Sequence, residues 1–215
     1  MSVVTDVAHV ALSNRPLLVC DLDEVVLEFV TPFAAFLRSQ GYELLPRSFR
    51  LHGNIVSLTT GAEARKESVD DFLESFFLAQ ADWQTPANAA VESLDLLSHD
   101  CDVVFLTAMP PRHQRIRRGL LDRLGLYQQM VATKEPKGPV VARLHGDRNL
   151  PVAFIDDILS NLISVSEHLP DCFLVHLMAN DEFRHLAPPV SGKIAAATTW
   201  ADADRLIRTH FGLPT

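Results

Sequence analysis

Pro16-Leu17-Leu18-Val19-Cys20-Asp21-Leu22-Asp23-Glu24-Val25-Val26 is the stretch whose reading decides the fold. Its apolar run, Leu17 to Cys20, has the length and composition of a buried strand. A strand covered on both faces tolerates charge only at its end, and Asp21 and Asp23 follow the run at once. Open α/β sheets place their active sites at the carboxyl ends of their strands. Residues two apart in a strand point to the same side, so both carboxylates address one spot. Two close anions need a cation, and a magnesium ion is the usual oxygen-loving choice.

Working outward, the strand signal returns at Asp102 to Thr107, near Met130 to Ala132, at Pro151 to Ile155 and at Cys172 to Leu177. Helical patterns separate these runs. One covers Glu24 to Gln40 with Val26, Phe29, Val30, Phe33, Phe36 and Leu37 at threes and fours, and another covers Ala62 to Ala79. Thr85-Pro86 reads as a cap and first helical residue of a helix to about Ser98. A basic helix is expected over Arg112 to Leu124, and a last helix from Thr199, a fair N-cap, to His210. Strand and helix in alternation indicate an α/β fold with a doubly wound, mostly parallel sheet. Residues 26–83 interrupt it and read as a helical cap, leaving 1–25 and 84–215 as the core domain.

A chain of 215 residues, 47% hydrophobic and 21% charged, is the size and composition of one globular domain with a modest insertion. A formal net charge of −8 argues against a nucleic-acid partner. Cys20, Cys101 and Cys172 are odd in number and lie in or beside apolar runs, so they read as buried thiols. The nine histidines show no paired-ligand spacing, which disfavours zinc. No signal peptide or membrane span is legible, so a cytoplasmic location with no membrane partner is the default expectation. The cluster Arg112, His113, Arg115, Arg117 and Arg118 reads as a solvated helix face.

Four strand ends or adjoining loops then carry polar residues in order: Asp21 with Asp23, Thr107, Lys137, and Asp156 with Asp157. This order resembles the four motifs of the haloacid dehalogenase superfamily, in its phosphatase branch, over roughly residues 16–168. Glu24 stands where many members have glycine. The resemblance implies a Rossmann-like core with the cap inserted after the first motif. It also implies a magnesium-dependent phosphomonoester hydrolase acting on a small phosphorylated metabolite. Asp21 would attack phosphorus and form an aspartyl-phosphate. Asp23 would protonate the leaving oxygen and then activate water. Thr107 and Lys137 would bind the phosphate, with Lys134 the competing lysine. The metal would take Asp21, the backbone carbonyl of Asp23 and an acid of the last pair, Asp157 in preference to Asp156. A nucleotidase, including a deoxyribonucleotidase, or a phosphomutase are the alternatives, and a silent binding protein a further one. The cap is expected to close as a lid hinged at Glu24 to Val26 and near Asp82 to Thr85.

Overall fold

The computed structural model describes residues 4–190 and 192–214. Six strands form one parallel sheet: β1 (Leu17–Cys20), β4 (Asp102–Thr107), β5 (Gln129–Ala132), β6 (Val152–Asp156), β7 (Phe173–His176) and β8 (Ile194–Ala196). Two more, β2 (Tyr42–Leu44) and β3 (Ile55–Ser57), form a separate antiparallel hairpin. The helices are α1 (Val30–Ser39), α2 (Lys66–Trp83), α3 (Ala90–Ser98), α4 (Gln114–Arg123), α5 (Lys137–His145), α6 (Leu159–His168), α7 (Asp181–Arg184) and α8 (Trp200–Phe211). None of the described helices is long and apolar enough to cross a membrane.

The sheet order is β5-β4-β1-β6-β7-β8. β1 is therefore the point where the chain reverses its direction of travel across the sheet. Its residues alternate between two cores: Leu18 and Cys20 pack with α3, α4 and α8, while Leu17 and Val19 pack with α5 and α6. Burial on both faces is what an unbroken apolar strand requires. The register sets Cys20 beside Phe105 of β4 and Ile155 of β6. The carboxyl ends of β1, β4 and β6 are thus neighbours, at the crevice where such sheets bind ligands.

The segment between β1 and α3 differs from its sequence reading in three places. The first helix starts at Val30, not at Glu24. Glu24 adopts φ 64°, a left-handed conformation that favours glycine. Its carboxylate accepts the backbone N–H groups of Phe29, Val30 and Asn180 at 2.7, 2.6 and 2.9 Å. Helix α1 has no side-chain cap of its own, so Glu24 satisfies two of its orphan donors from a turn away. Burial raises the Glu24 pKa against the pull of those N–H groups. Second, residues 41–60 hold the β2–β3 hairpin, so this segment is not wholly helical. Third, α3 begins at Ala90 after Ala89 at φ 61°, because the chain from Thr85 to Ala87 stays extended to pair with Val26–Glu28. Residues 177–198 add α7 and β8, which no periodicity announced.

Both ends of the segment read as an insertion are hydrogen-bonded. Glu28 N–H donates to Thr85 O at 2.9 Å, Ala87 N–H to Val26 O at 2.9 Å, and Leu27 N–H to Leu22 O at 2.8 Å. Val26 and Thr85, one from each segment read as a hinge, are thus each tied to the opposite stem. Phe33 and Phe76 are fully buried at the centre of an apolar cluster, with ring centroids 5.2 Å apart. That cluster also takes in Met178 and Phe183 from beyond β7.

Two pairs of substitutions test this account. A Cβ at Gly138 would strike the Ser164 carbonyl oxygen and come within 2.6 Å of Ser164 Oγ, whereas one at Gly119, exposed in α4, meets nothing within 4 Å. Gly138→Ala should lower the unfolding free energy by about 1–3 kcal/mol, and Gly119→Ala should raise it by up to about 1 kcal/mol. Equal effects in urea melts would contradict the close approach of α5 to α6. Glu24→Ala should cost about 1–3 kcal/mol by stranding three donors. Glu24→Gly should cost about 1 kcal/mol less than Glu24→Ala, since it relieves the left-handed backbone; the reverse order would refute the strain.

Candidate active site

The first acid, Asp21, follows β1 directly, and its backbone N–H donates to Ile155 O at 2.9 Å, so the end of β6 holds it in place. Lys137 is the first residue of α5. Its side chain is buried and lies between two acids: Nζ donates to Asp21 Oδ1 and to Asp156 Oδ2, the latter at 2.6 Å. Lys134, the competing lysine, is exposed.

Asp156 is the last residue of β6 and is wholly buried. Its oxygens are fully engaged, accepting Lys137, the Asn161 amide at 3.1 Å and the Ile158 N–H at 2.7 Å. Asp157 is buried too, yet its carboxylate has no hydrogen-bond donor among the described residues. Its backbone carbonyl accepts His176 Nε2 at 2.8 Å, which fixes the turn. Ligand oxygens of Asp21, Asp156 and Asp157 all lie within 4.8 Å of one another.

Charge decides how this cluster behaves. Burial pushes the Asp157 carboxyl well above its ordinary pKa, and the Asp156 and Asp21 charges push the same way. Burial also raises Asp21, to about 7, despite the Lys137 ammonium beside it. Burial alone would lower the Lys137 pKa, but the charges of Asp156 and Asp21 outweigh it and raise it. Ionised together, the three carboxylates would face one ammonium and leave two negative charges uncompensated in a buried place, which is why burial holds the Asp157 and Asp21 pKa values up without a cation. A divalent, oxygen-seeking cation fits that deficit and that donor set.

Asp23 stands on the other side of the crevice. Its Oδ1 accepts Gln84 Nε2 and Arg117 Nη2, both at 2.9 Å, and its Oδ2 lies 3.4 Å from Thr107 Oγ1. Arg117 is fully buried, contrary to the reading of its helix as a solvated face. It also donates to Gln84 Oε1 at 3.0 Å and to Gln80 Oε1. The last turn of α2 covers it, and its spacing to Leu120, Leu121 and Leu124 at i+3, i+4 and i+7 already sets it on the apolar face of α4. Gln80, in the last turn of α2, and Gln84, the extended residue that ends it, supply the two amide oxygens that Arg117 meets. Neighbouring Arg112 behaves as expected of a surface residue and pairs with Glu74 of α2.

Asp21, Asp23, Lys137 and Asp157 line one cavity of about 240 Å³, together with Phe29, Phe77 and Met109. Asp156 and Thr107 lie beneath it, both with no exposed surface, and do not line it. The Thr107 hydroxyl accepts the Met109 N–H at 3.1 Å, which shapes the turn after β4. The three cysteines are buried and free, as their settings suggested.

No protein-family model matches the sequence, and no curated protein matches it. Solved structures match it in fold. A haloacid dehalogenase-like family hydrolase from Xanthomonas campestris superposes with a TM-score of 0.59 at 15% identity, over 92% of this chain and 96% of that one. A predicted phosphoglycolate phosphatase from Haemophilus somnus 129pt gives 0.58 at 15% identity, over 92% and 100%. A HAD family hydrolase from Deinococcus radiodurans R1, with bound phosphate and sodium, gives 0.58 at 13% identity, over 92% and 96%. At such identities the likeness is one of fold. The α/β architecture with its parallel six-stranded sheet is therefore that of the haloacid dehalogenase-like hydrolases.

Proposed function

We propose that the chain is a metal-dependent phosphomonoester hydrolase working through an aspartyl-phosphate on Asp21. The observation that carries this reading is the buried Lys137 ammonium between Asp21 and Asp156, with Asp157 beside them and Asp23 across the same cavity. Phosphoryl transfer needs an in-line nucleophile, a proton donor for the leaving oxygen and positive charge around the equatorial oxygens. The fold shared with hydrolases, one of them holding phosphate, supports the assignment.

Asp21 and Asp157, with the Asp23 backbone carbonyl, would hold a divalent cation, magnesium being the natural choice for oxygen ligands. The cation would supply charge to the phosphate oxygens. Asp156, saturated by Lys137, Asn161 and the Ile158 N–H, would keep Lys137 aimed at the nucleophile rather than bind metal itself. Lys137 would lower the cost of bringing an anionic phosphate to Asp21. A carboxylate oxygen of Asp21 would attack phosphorus while the bond to the leaving oxygen breaks, and Asp23 would hand that oxygen its proton. Asp23, then ionised, would take a proton from water as the water attacks the aspartyl-phosphate. Thr107 would join the phosphate ligands by turning its hydroxyl from Asp23 toward the cavity. Arg117 would act as a positioning residue, holding Asp23 against the α2 stem. The segment of residues 26–83 would serve as the cap over this site.

Wild-type protein with magnesium should hydrolyse a generic phosphate ester such as p-nitrophenyl phosphate, and chelator should abolish it. Asp21→Asn should keep the fold by circular dichroism and lose at least about 10³-fold in kcat. Near-wild-type turnover in that variant, or full activity in excess chelator, would overturn the assignment.

Arg117→Ala should lower kcat on the order of 10²-fold through a misplaced Asp23, with KM little changed. Arg117→Lys should restore only part of this, because an ammonium cannot hold Asp23, Gln80 and Gln84 in one fork. A change confined to KM would show that Arg117 merely packs the stem.

A further inference from the structure

A second cavity, of about 180 Å³, adjoins the one that holds the acids. The two share Glu24, Phe29, Asp157 and Ile158, so the space runs on from the site of phosphoryl transfer. Its apolar walls are Phe29 and Val30 from the start of α1, Phe49 and Leu51 from the β2–β3 turn, and Met178 and Phe183 from beyond β7. The wall from the turn is braced. Asn54 is buried, and its Nδ2 donates to Ser48 O at 2.7 Å and to Arg50 O at 2.6 Å.

What this wall lacks decides what it accepts. Among the described residues, no hydroxyl or amide side chain lines it. The Glu24 carboxylate is already taken by three backbone N–H groups, and Asp157 belongs to the acidic cluster. The remaining donor is Arg50, an exposed side chain. A polyhydroxylated leaving group entering here would give up its water and find almost no partner in exchange. An aliphatic or flat leaving group would lose nothing and bury its surface.

Resting on the phosphatase reading of the adjoining acids, we infer that this slot is the leaving-group subsite. Its substrates are phosphate monoesters of small, hydroxyl-poor alcohols, not sugar or polyol phosphates. The volume admits a branched aliphatic chain or a single ring.

The test uses the full chain with magnesium and two primary alkyl esters, 3-methylbutyl phosphate and glycerol 3-phosphate. The proposal expects kcat/KM for the first to exceed that for the second by at least about tenfold, the scale on which hydrophobic pockets discriminate. Phe49→Ser should bring the ratio down toward one, and Leu51→Ser, from the same turn, should do likewise. Equal rates, a preference for glycerol 3-phosphate, or a ratio untouched by both variants would overturn the subsite. Should neither ester nor p-nitrophenyl phosphate be hydrolysed, the phosphatase reading falls. The ratio of the two dissociation constants, measured by calorimetry, then decides the subsite: tenfold tighter binding of the aliphatic ester upholds it and equal binding refutes it.

Discussion

The Lys137 ammonium, shut in between Asp21 and Asp156, is the interaction on which the rest of the structure depends. A charge so deeply buried is tolerable only when paired, and the pairing must be exact in place as well as in sign. Three separate elements meet that demand. β1 and β6 lie side by side in register and bring the two acids together, while α5 brings the lysine at its first residue. The lack of a side chain at Gly138 lets α5 settle against the backbone of α6. Asn161 of α6 then holds the far side of Asp156. The ammonium satisfies Asp21 and Asp156 but leaves Asp157 without a counter-charge, and from that imbalance follows the capacity for a hard cation.

The parts of this arrangement that could be read in the sequence are those where a strand ends. β1, β4 and β6 are apolar throughout, so the polar residues that close them stand out, and a parallel sheet leaves one edge for them to share. Asp21, Asp23 and the Asp156–Asp157 pair stand out on that ground, whereas Lys137, the first residue of α5, and the preference for Asp157 come from the resemblance to the haloacid dehalogenase motifs. What could not be read depends on one element covering another. The spacing of Arg117 to Leu120, Leu121 and Leu124 marks its inward face, but the amides it meets, Gln80 and Gln84, come from α2 and the residue that ends it. Glu24 occupies a left-handed turn that a Glu seldom takes, and the three N–H groups that hold it there come from positions up to 156 residues away. The β2–β3 hairpin has strands of three residues each, too short for a period of two to declare itself. The start of α3 slipped for a related reason: Pro86 offers a good first helical residue, but the stem pairing with Val26–Glu28 takes that stretch for itself.

The union of Met178 and Phe183 with the aromatic cluster around Phe33 and Phe76 also bears on how the molecule comes apart. An insertion with a private core can melt by itself and leave its host intact. Here the aromatic cluster borrows residues that follow β7, and the Glu24 carboxylate ties α1 to the first turn of α7 through Asn180. Opening the inserted segment therefore strips contacts from the carboxyl edge of the sheet. Loss of one part draws the other with it, so the two behave as a single cooperative unit in which local opening is nearly as costly as global unfolding. The backbone amides of α1 and of β7 should then share one free energy of exchange with solvent, though they belong to different layers of the fold.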